Sequence, residues 1–133
     1  MRAIDSVLTA LAILIAAAII FIGARFLLAP GVAAAGFGVP VDPAGNIGAF
    51  LDAKGVRDIV SGLVVLALML TRQKFALGLF LVVAALIPLG DMAIVLTHGG
   101  QASVAFGIHL STAIMLVIVG FGIIWRTQRP YHA

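Results

Sequence analysis

The chain has 133 residues, 63% of them hydrophobic and 10% charged, with a mean hydropathy of +1.26. Soluble domains carry about 25% charged residues, so this is the composition of an integral membrane protein with the lipid bilayer as its surroundings. No cysteine is present, which excludes a disulfide framework, a thiolate metal site and a thiol nucleophile; the formal charge of +3 resides mostly at the ends of apolar runs, where it orients helices rather than binding nucleic acid.

In chain order, Arg2 and the apolar run after it resemble the start of a secretory signal. The run from Val7 to Leu28 is far longer than the roughly 7 to 15 residues of a signal core, so the segment reads as a retained helix. Four stretches reach the roughly 20 residues that cross a hydrocarbon core of about 30 Å: residues 4–29, 49–70, 75–97 and 102–125. Between the first two lies a Gly/Pro-rich loop, 30–48, in which Pro30, Pro40 and Pro43 and several glycines break regular helix. The other links, Thr71 to Lys74 and His98 to Gln101, are short and force neighbouring helices to run antiparallel. The expected fold is all-α: one domain, an antiparallel four-helix integral membrane bundle.

Arg2, Arg72, Lys74, Arg126 and Arg129 fall on one side of such a bundle, while the loops on the other side hold no Lys or Arg. Both termini are therefore expected to face the cytoplasm, in a bacterial inner (plasma) membrane. Trp125 and Tyr131 fit an interfacial anchor at the last exit.

This topology puts ionisable residues from all four helices at one depth. Arg25, Arg57 with Asp58, Asp91 and His109 all lie on the order of 6 to 13 Å below the non-cytoplasmic surface, at 1.5 Å per helical residue. Charges in hydrocarbon cost roughly 2.5 to 3.5 kcal/mol each on insertion scales, so such a layer needs internal partners or a use. On the second helix Lys54, Arg57, Asp58, Ser61 and Gly62 share one face, which should turn inward. Asp91 follows Pro88 and Gly90, where proline removes a backbone hydrogen bond and favours a kink. His109 shares a face with Ala105, Thr112, Ala113 and Gly120, whose small side chains permit close helix approach.

Arg25, Lys54 and Arg57 balance Asp52, Asp58 and Asp91, so the layer can be neutral. Arg57 and Asp58 point about 100° apart, which suggests Arg57 pairing with Asp91 and Asp58 with Arg25. Arg25 and Lys54 lie close enough to the surface to snorkel, whereas Arg57, Asp58 and Asp91 favour a site. No metal site is expected: no helix offers a ligand pair at i, i+3 or i, i+4, and arginine stands close by. Ser61 shares a face with Asp58, a weak signal for a nucleophile without an assured histidine. No phosphate loop, dinucleotide fingerprint or basic-aromatic pattern for nucleic acid occurs.

With Gly55-Val-Arg-Asp58, Pro88-Leu-Gly-Asp91 and His109 in that order, the chain resembles a domain-of-unknown-function family of small four-helix bacterial and fungal membrane proteins. It also looks distantly like DoxX-type four-helix proteins, for which quinone-linked redox activity has been proposed. The resemblance implies that the arginine, two aspartates and histidine form the family's polar centre, and it names no cofactor.

The residues and the topology point to a polar pocket in the non-cytoplasmic half that binds a small apolar or amphipathic molecule. Asp91, Asp58 and His109 are its candidate acid, base and proton relay, and Arg57, Arg25, Lys54, Ser61 and Thr112 its candidate binding residues. The alternative is a non-catalytic oligomeric transporter, lipid-binding or accessory subunit, with a face such as Gly120-x-Gly122 as the contact of a homo-oligomer.

Overall fold

In a computed structural model the described residues are 2–128, and all of their regular structure is helical. Arg129 and Tyr131, read above as an orientation signal and an anchor, lie outside the described residues, as does the side chain of Arg2. Helix α1 (Arg2–Leu28) is a run of Ala, Ile and Leu that stops where Pro30 disfavours helical geometry at Ala29, whose φ and ψ are −147° and 62°. The chain then re-enters a helix at once.

That helix, α2 (Pro30–Phe37), corrects the reading of 30–48 as a loop. Pro30 occupies the first helical position, where its missing N–H would be unpaired in any case, and five of the next seven residues are apolar non-glycine residues that propagate a turn. It ends at Gly38, whose φ of 104° is left-handed and whose added Cβ would lie 3.0 Å from Val104. Only the segment 38–45, holding Pro40 and Pro43, stays irregular.

Helix α3 (Asn46–Leu70) turns through Arg72, a non-glycine residue at φ 58°, into α4 (Lys74–Ala84) and α5 (Leu86–Thr97). The break between α4 and α5 at Ala85 stands one turn before Pro88, which has no N–H to give the Ala84 carbonyl. The interruption of regular helix falls there, at Ala85. Helix α6 (Ala102–Val104) passes through a π-helical segment, Ala105–Leu110, into α7 (Ser111–Gln128).

Among the described residues, three helical stretches are long and apolar enough to cross a membrane: Ala3–Leu28, Lys74–Thr97 and Ala102–Gln128. Helix α3 is comparably long but carries Asp52, Lys54, Arg57 and Asp58 in its first half. Large apolar side chains such as Leu14, Phe21, Ile118 and Phe121 are more than half exposed, the inverse of a soluble surface. The arrangement is compatible with a helical bundle in a membrane.

Glycines set the packing. Helix α1 lies along α3, and α4 along α7. A Cβ on Gly23 would stand 2.6 Å from the Gly55 carbonyl oxygen, and one on Gly120 would stand 2.7 Å from that of Gly78. Backbones this close gain dispersion contacts that larger residues would forbid. Gly122 packs on Leu8, so the Gly120-x-Gly122 face is occupied within the chain rather than left open to a second copy. Ile15, Ala16, Val65, Leu81, Ala113 and Leu116 fill the core where the two helix pairs meet. Near the chain termini Arg126 donates two hydrogen bonds to Asp5, at 2.8 and 3.0 Å. Arg126 therefore has a structural partner, and Asp5 is an ionisable residue that the sequence reading passed over.

Candidate functional site

The site grows from one face of α3. Lys54 and Asp58 stand one helical turn apart, and Lys54 Nζ donates to Asp58 Oδ2 at 3.0 Å. Arg57 wraps back along the helix and donates from Nε and Nη2 to Asp58 Oδ1, at 3.1 and 3.0 Å. Both carboxylate oxygens of Asp58 are thereby engaged, and the residue is 1% exposed. The expectation that Arg57 and Asp58 need partners on different helices is corrected: the guanidinium stem is long enough to overcome the angle between adjacent residues. Asp58 does not pair with Arg25.

Asp91 reaches the same cations from α5. Lys54 Nζ lies 3.4 Å from its Oδ2, and Arg57 Nη2 lies 4.0 Å from its Oδ1. The expected pairing of Arg57 with Asp91 is present as this long contact, secondary to the one with Asp58. Asp91 is held more loosely than Asp58, and acceptor positions on its oxygens remain open toward the interior.

Lys54 is the hub: its ammonium turns inward to the carboxylates of the cluster. Its ammonium sits 4.9 Å from the Phe26 ring centroid and 5.0 Å from that of Phe37, so two aromatic faces and two carboxylates surround it. Helix α2 makes this possible by carrying Phe37 over the cluster. Phe37 also meets Phe26 and His109 edge-on, with centroids 6.5 and 4.8 Å apart.

His109 is buried and belongs to the π-helical segment, a distortion often found at functional positions. Its Nε2 lies 2.9 Å from the carbonyl oxygen of Phe37. A carbonyl only accepts, so Nε2 carries the proton of this bond. That Phe37 carbonyl is one of the last in α2, where no partner exists within the helix. The histidine thus pins the end of α2.

Ser61 and Thr112 spend their hydroxyl protons on carbonyls of their own helices, Arg57 at 2.8 Å and Ile108 at 2.7 Å. Ser61 donates to no side-chain base, so it is not arranged as a nucleophile. Asp52, included above in the charge balance, is exposed and away from the cluster. Among the described residues no three His, Asp or Glu side chains gather in a metal-holding group.

These side chains border a cavity of about 310 Å³ between the helix pairs. Small-molecule sites span roughly 300 to 1,000 Å³, so its size suits a compact ligand. One end is polar, lined by Arg25, Lys54, Asp58, Asp91 and His109, with Ser61 and Thr112 beside them. The other end is apolar, with Ile15, Ile19, Val65, Phe80, Leu81 and Leu116. Ala84, Ile87 and Pro88 put the α4–α5 junction in its wall, and Ala33, Gly36 and Phe37 of α2 cover the polar end. Of the candidate site residues, only Arg57 is absent from the lining, where it backs Asp58. Sequence reasoning missed Phe26 and Phe37; the i, i+4 spacing of Lys54 and Asp58 was the available signal for the lysine's true partner.

The fold and this cluster define a small, helical, membrane-compatible protein with a charged group buried beside an apolar cleft. The chain belongs to the family described as Domain of unknown function (DUF4267), whose model matches residues 16–123. That span holds every residue of the cluster and leaves out Asp5 and Arg126. No curated protein and no solved structure matches the chain, so the distant likeness to DoxX-type proteins carries no further argument.

Proposed function

We propose that the protein is a four-helix integral membrane protein whose pocket binds a small apolar or amphipathic molecule and exchanges a proton with it. In this reading α1, α3, α4–α5 and α7 each cross the bilayer, both termini face the cytoplasm of a bacterial inner membrane, and the pocket lies in the non-cytoplasmic half. Helix α3 tolerates its charges because Lys54, Arg57 and Asp58 neutralise one another and Asp91, with Arg57 the one of the four left largely exposed.

The observation that carries the reading is the cavity itself, in which an apolar cleft ends on Asp91 and His109. The two carboxylates take different roles. Asp58 holds Lys54 and Arg57 in place, while Asp91, with open acceptor positions, is the base toward a bound ligand. His109 supplies Nδ1 as a second acceptor, kept in one tautomer by the Phe37 carbonyl. Lys54 and Arg25 hold the polar part of the ligand, and Ser61 and Thr112 accept hydrogen bonds from it.

Ligand retention tests this reading. Small molecules extracted from the purified wild-type protein are compared by mass spectrometry with those from Ala84→Leu, which fills the cavity wall, and from Asp91→Asn. The expected result is one species at near-stoichiometric level in the wild type and Asp91→Asn, strongly reduced in Ala84→Leu at unchanged helix content. Equal retention by Ala84→Leu and the wild type would mean that any bound molecule sits elsewhere.

A further inference from the structure

The charges around the cavity do not balance. Lys54 and Arg57 are matched by Asp58 and Asp91. Arg25 also lines the cavity, in the last turn of α1, yet its side chain has no ion pair or hydrogen bond among the described residues. The remaining acids are elsewhere: Asp42 and Asp52 are exposed and outside the lining, and Asp5 is held by Arg126. Arg25 is partly buried, so its positive charge faces the cavity without a counter-ion among the described residues.

Resting on the ligand-pocket reading, we infer that the ligand is a singly charged anionic amphiphile, a carboxylate or phosphodiester head on an apolar tail, with Arg25 as its anion contact. The planar fork of arginine suits either head. A neutral ligand would leave the positive charge in place, and a cation would add to it. A second negative charge would meet the carboxylate of Asp91 in the same cavity. The tail runs along Ile19, Phe80, Leu81 and Met115 toward the core. A volume of about 310 Å³ suits one short chain.

The test is equilibrium binding of radiolabelled decanoate, decyl methyl phosphate and decanol to the full chain in phosphatidylcholine nanodiscs, with empty nanodiscs as the partition background. The wild type should bind at least one anion more tightly than decanol, and the tighter of the two anions identifies the head. Arg25→Gln should weaken the anion by about tenfold and leave decanol unchanged, and Arg25→Lys should keep most of the anion's advantage. Equal affinity of the wild type for anions and decanol, or unchanged anion binding in Arg25→Gln, overturns the anionic assignment and leaves the pocket standing. Absence of saturable binding by all three overturns the pocket as well. Should Arg25→Gln fail to fold, the wild-type ratio of anion to alcohol decides by the same criterion.

Discussion

Lys54 and Asp58 are joined at 3.0 Å within one turn of α3, and the same ammonium stands 3.4 Å from Asp91 on α5. One lysine therefore serves two carboxylates unequally. Asp58 is saturated by Lys54 and Arg57 and is closed to the surroundings, whereas the Asp91 side chain is 13% exposed and shares its cations at longer range. Removing Asp58 strands two cations; removing Asp91 leaves Lys54 its nearer partner. Asp58→Asn should cost about 3 to 5 kcal/mol, and Asp91→Asn about 1 kcal/mol. Thermal unfolding in detergent measures both, and equal losses would show that the two carboxylates are interchangeable supports.

His109 links the π-helical segment to α2 through a single hydrogen bond to Phe37. Loss of a neutral bond of about 1 kcal/mol corresponds to roughly fivefold easier opening of α2. His109→Ala should therefore accelerate amide hydrogen exchange across residues 30–38 by about that factor, with the amides of α7 unaffected. Uniform acceleration over the whole chain would place the effect of His109 in global stability instead.

Glycine positions should differ sharply in tolerance. Gly23→Ala and Gly120→Ala drive a Cβ against facing carbonyl oxygens and should cost about 1 to 3 kcal/mol each. Gly90→Ala on α5 meets nothing within 4 Å and should be neutral or stabilising by up to about 1 kcal/mol. Unfolding midpoints of the three variants, side by side, check the order.

Pro88 lies one turn beyond the α4–α5 break and is buried in the cavity wall. Pro88→Ala returns an N–H for the Ala84 carbonyl and should straighten the helix and narrow the cavity. Because the chain has no cysteine of its own, spin labels can be placed on cysteines introduced at the exposed Leu79 and Ile94. The distance between them should lengthen in Pro88→Ala, and an unchanged distance would assign the bend to packing rather than to proline.

Much of the helical framework was legible because hydropathy is a property of long segments: the stretches 4–29, 75–97 and 102–125 correspond to the three spans found. Convergence of residues from α3, α5 and the π-helical segment was likewise legible, since equal depth follows from the rise per residue. Pairing within the cluster was less so. Lys54 and Arg57 have long, flexible stems, and backbone phase does not say where their charged ends settle. The placement of Lys54 depended on Phe37, and Phe37 depended on α2, a short helix hidden in a segment whose glycines and prolines suggested a loop. The π-helical segment has no sequence periodicity of its own, so the tilt it gives His109 was not readable. Asp5 was overlooked because an acid so near a chain end resembles ordinary solvated charge, and only its bidentate pairing with Arg126 gives it a role.

The claim that the charged cluster and the apolar cleft form one ligand pocket is tested most directly by photolabelling in nanodiscs. A diazirine-bearing amphiphile is activated with and without excess unlabelled competitor, and the labelled residues are mapped by mass spectrometry. The account predicts competed labelling on cavity residues such as Phe80, Ile87 and Met115, with uncompeted background on outward residues such as Phe21 and Ile118. Labelling confined to the outward residues, and indifferent to competitor, would contradict it.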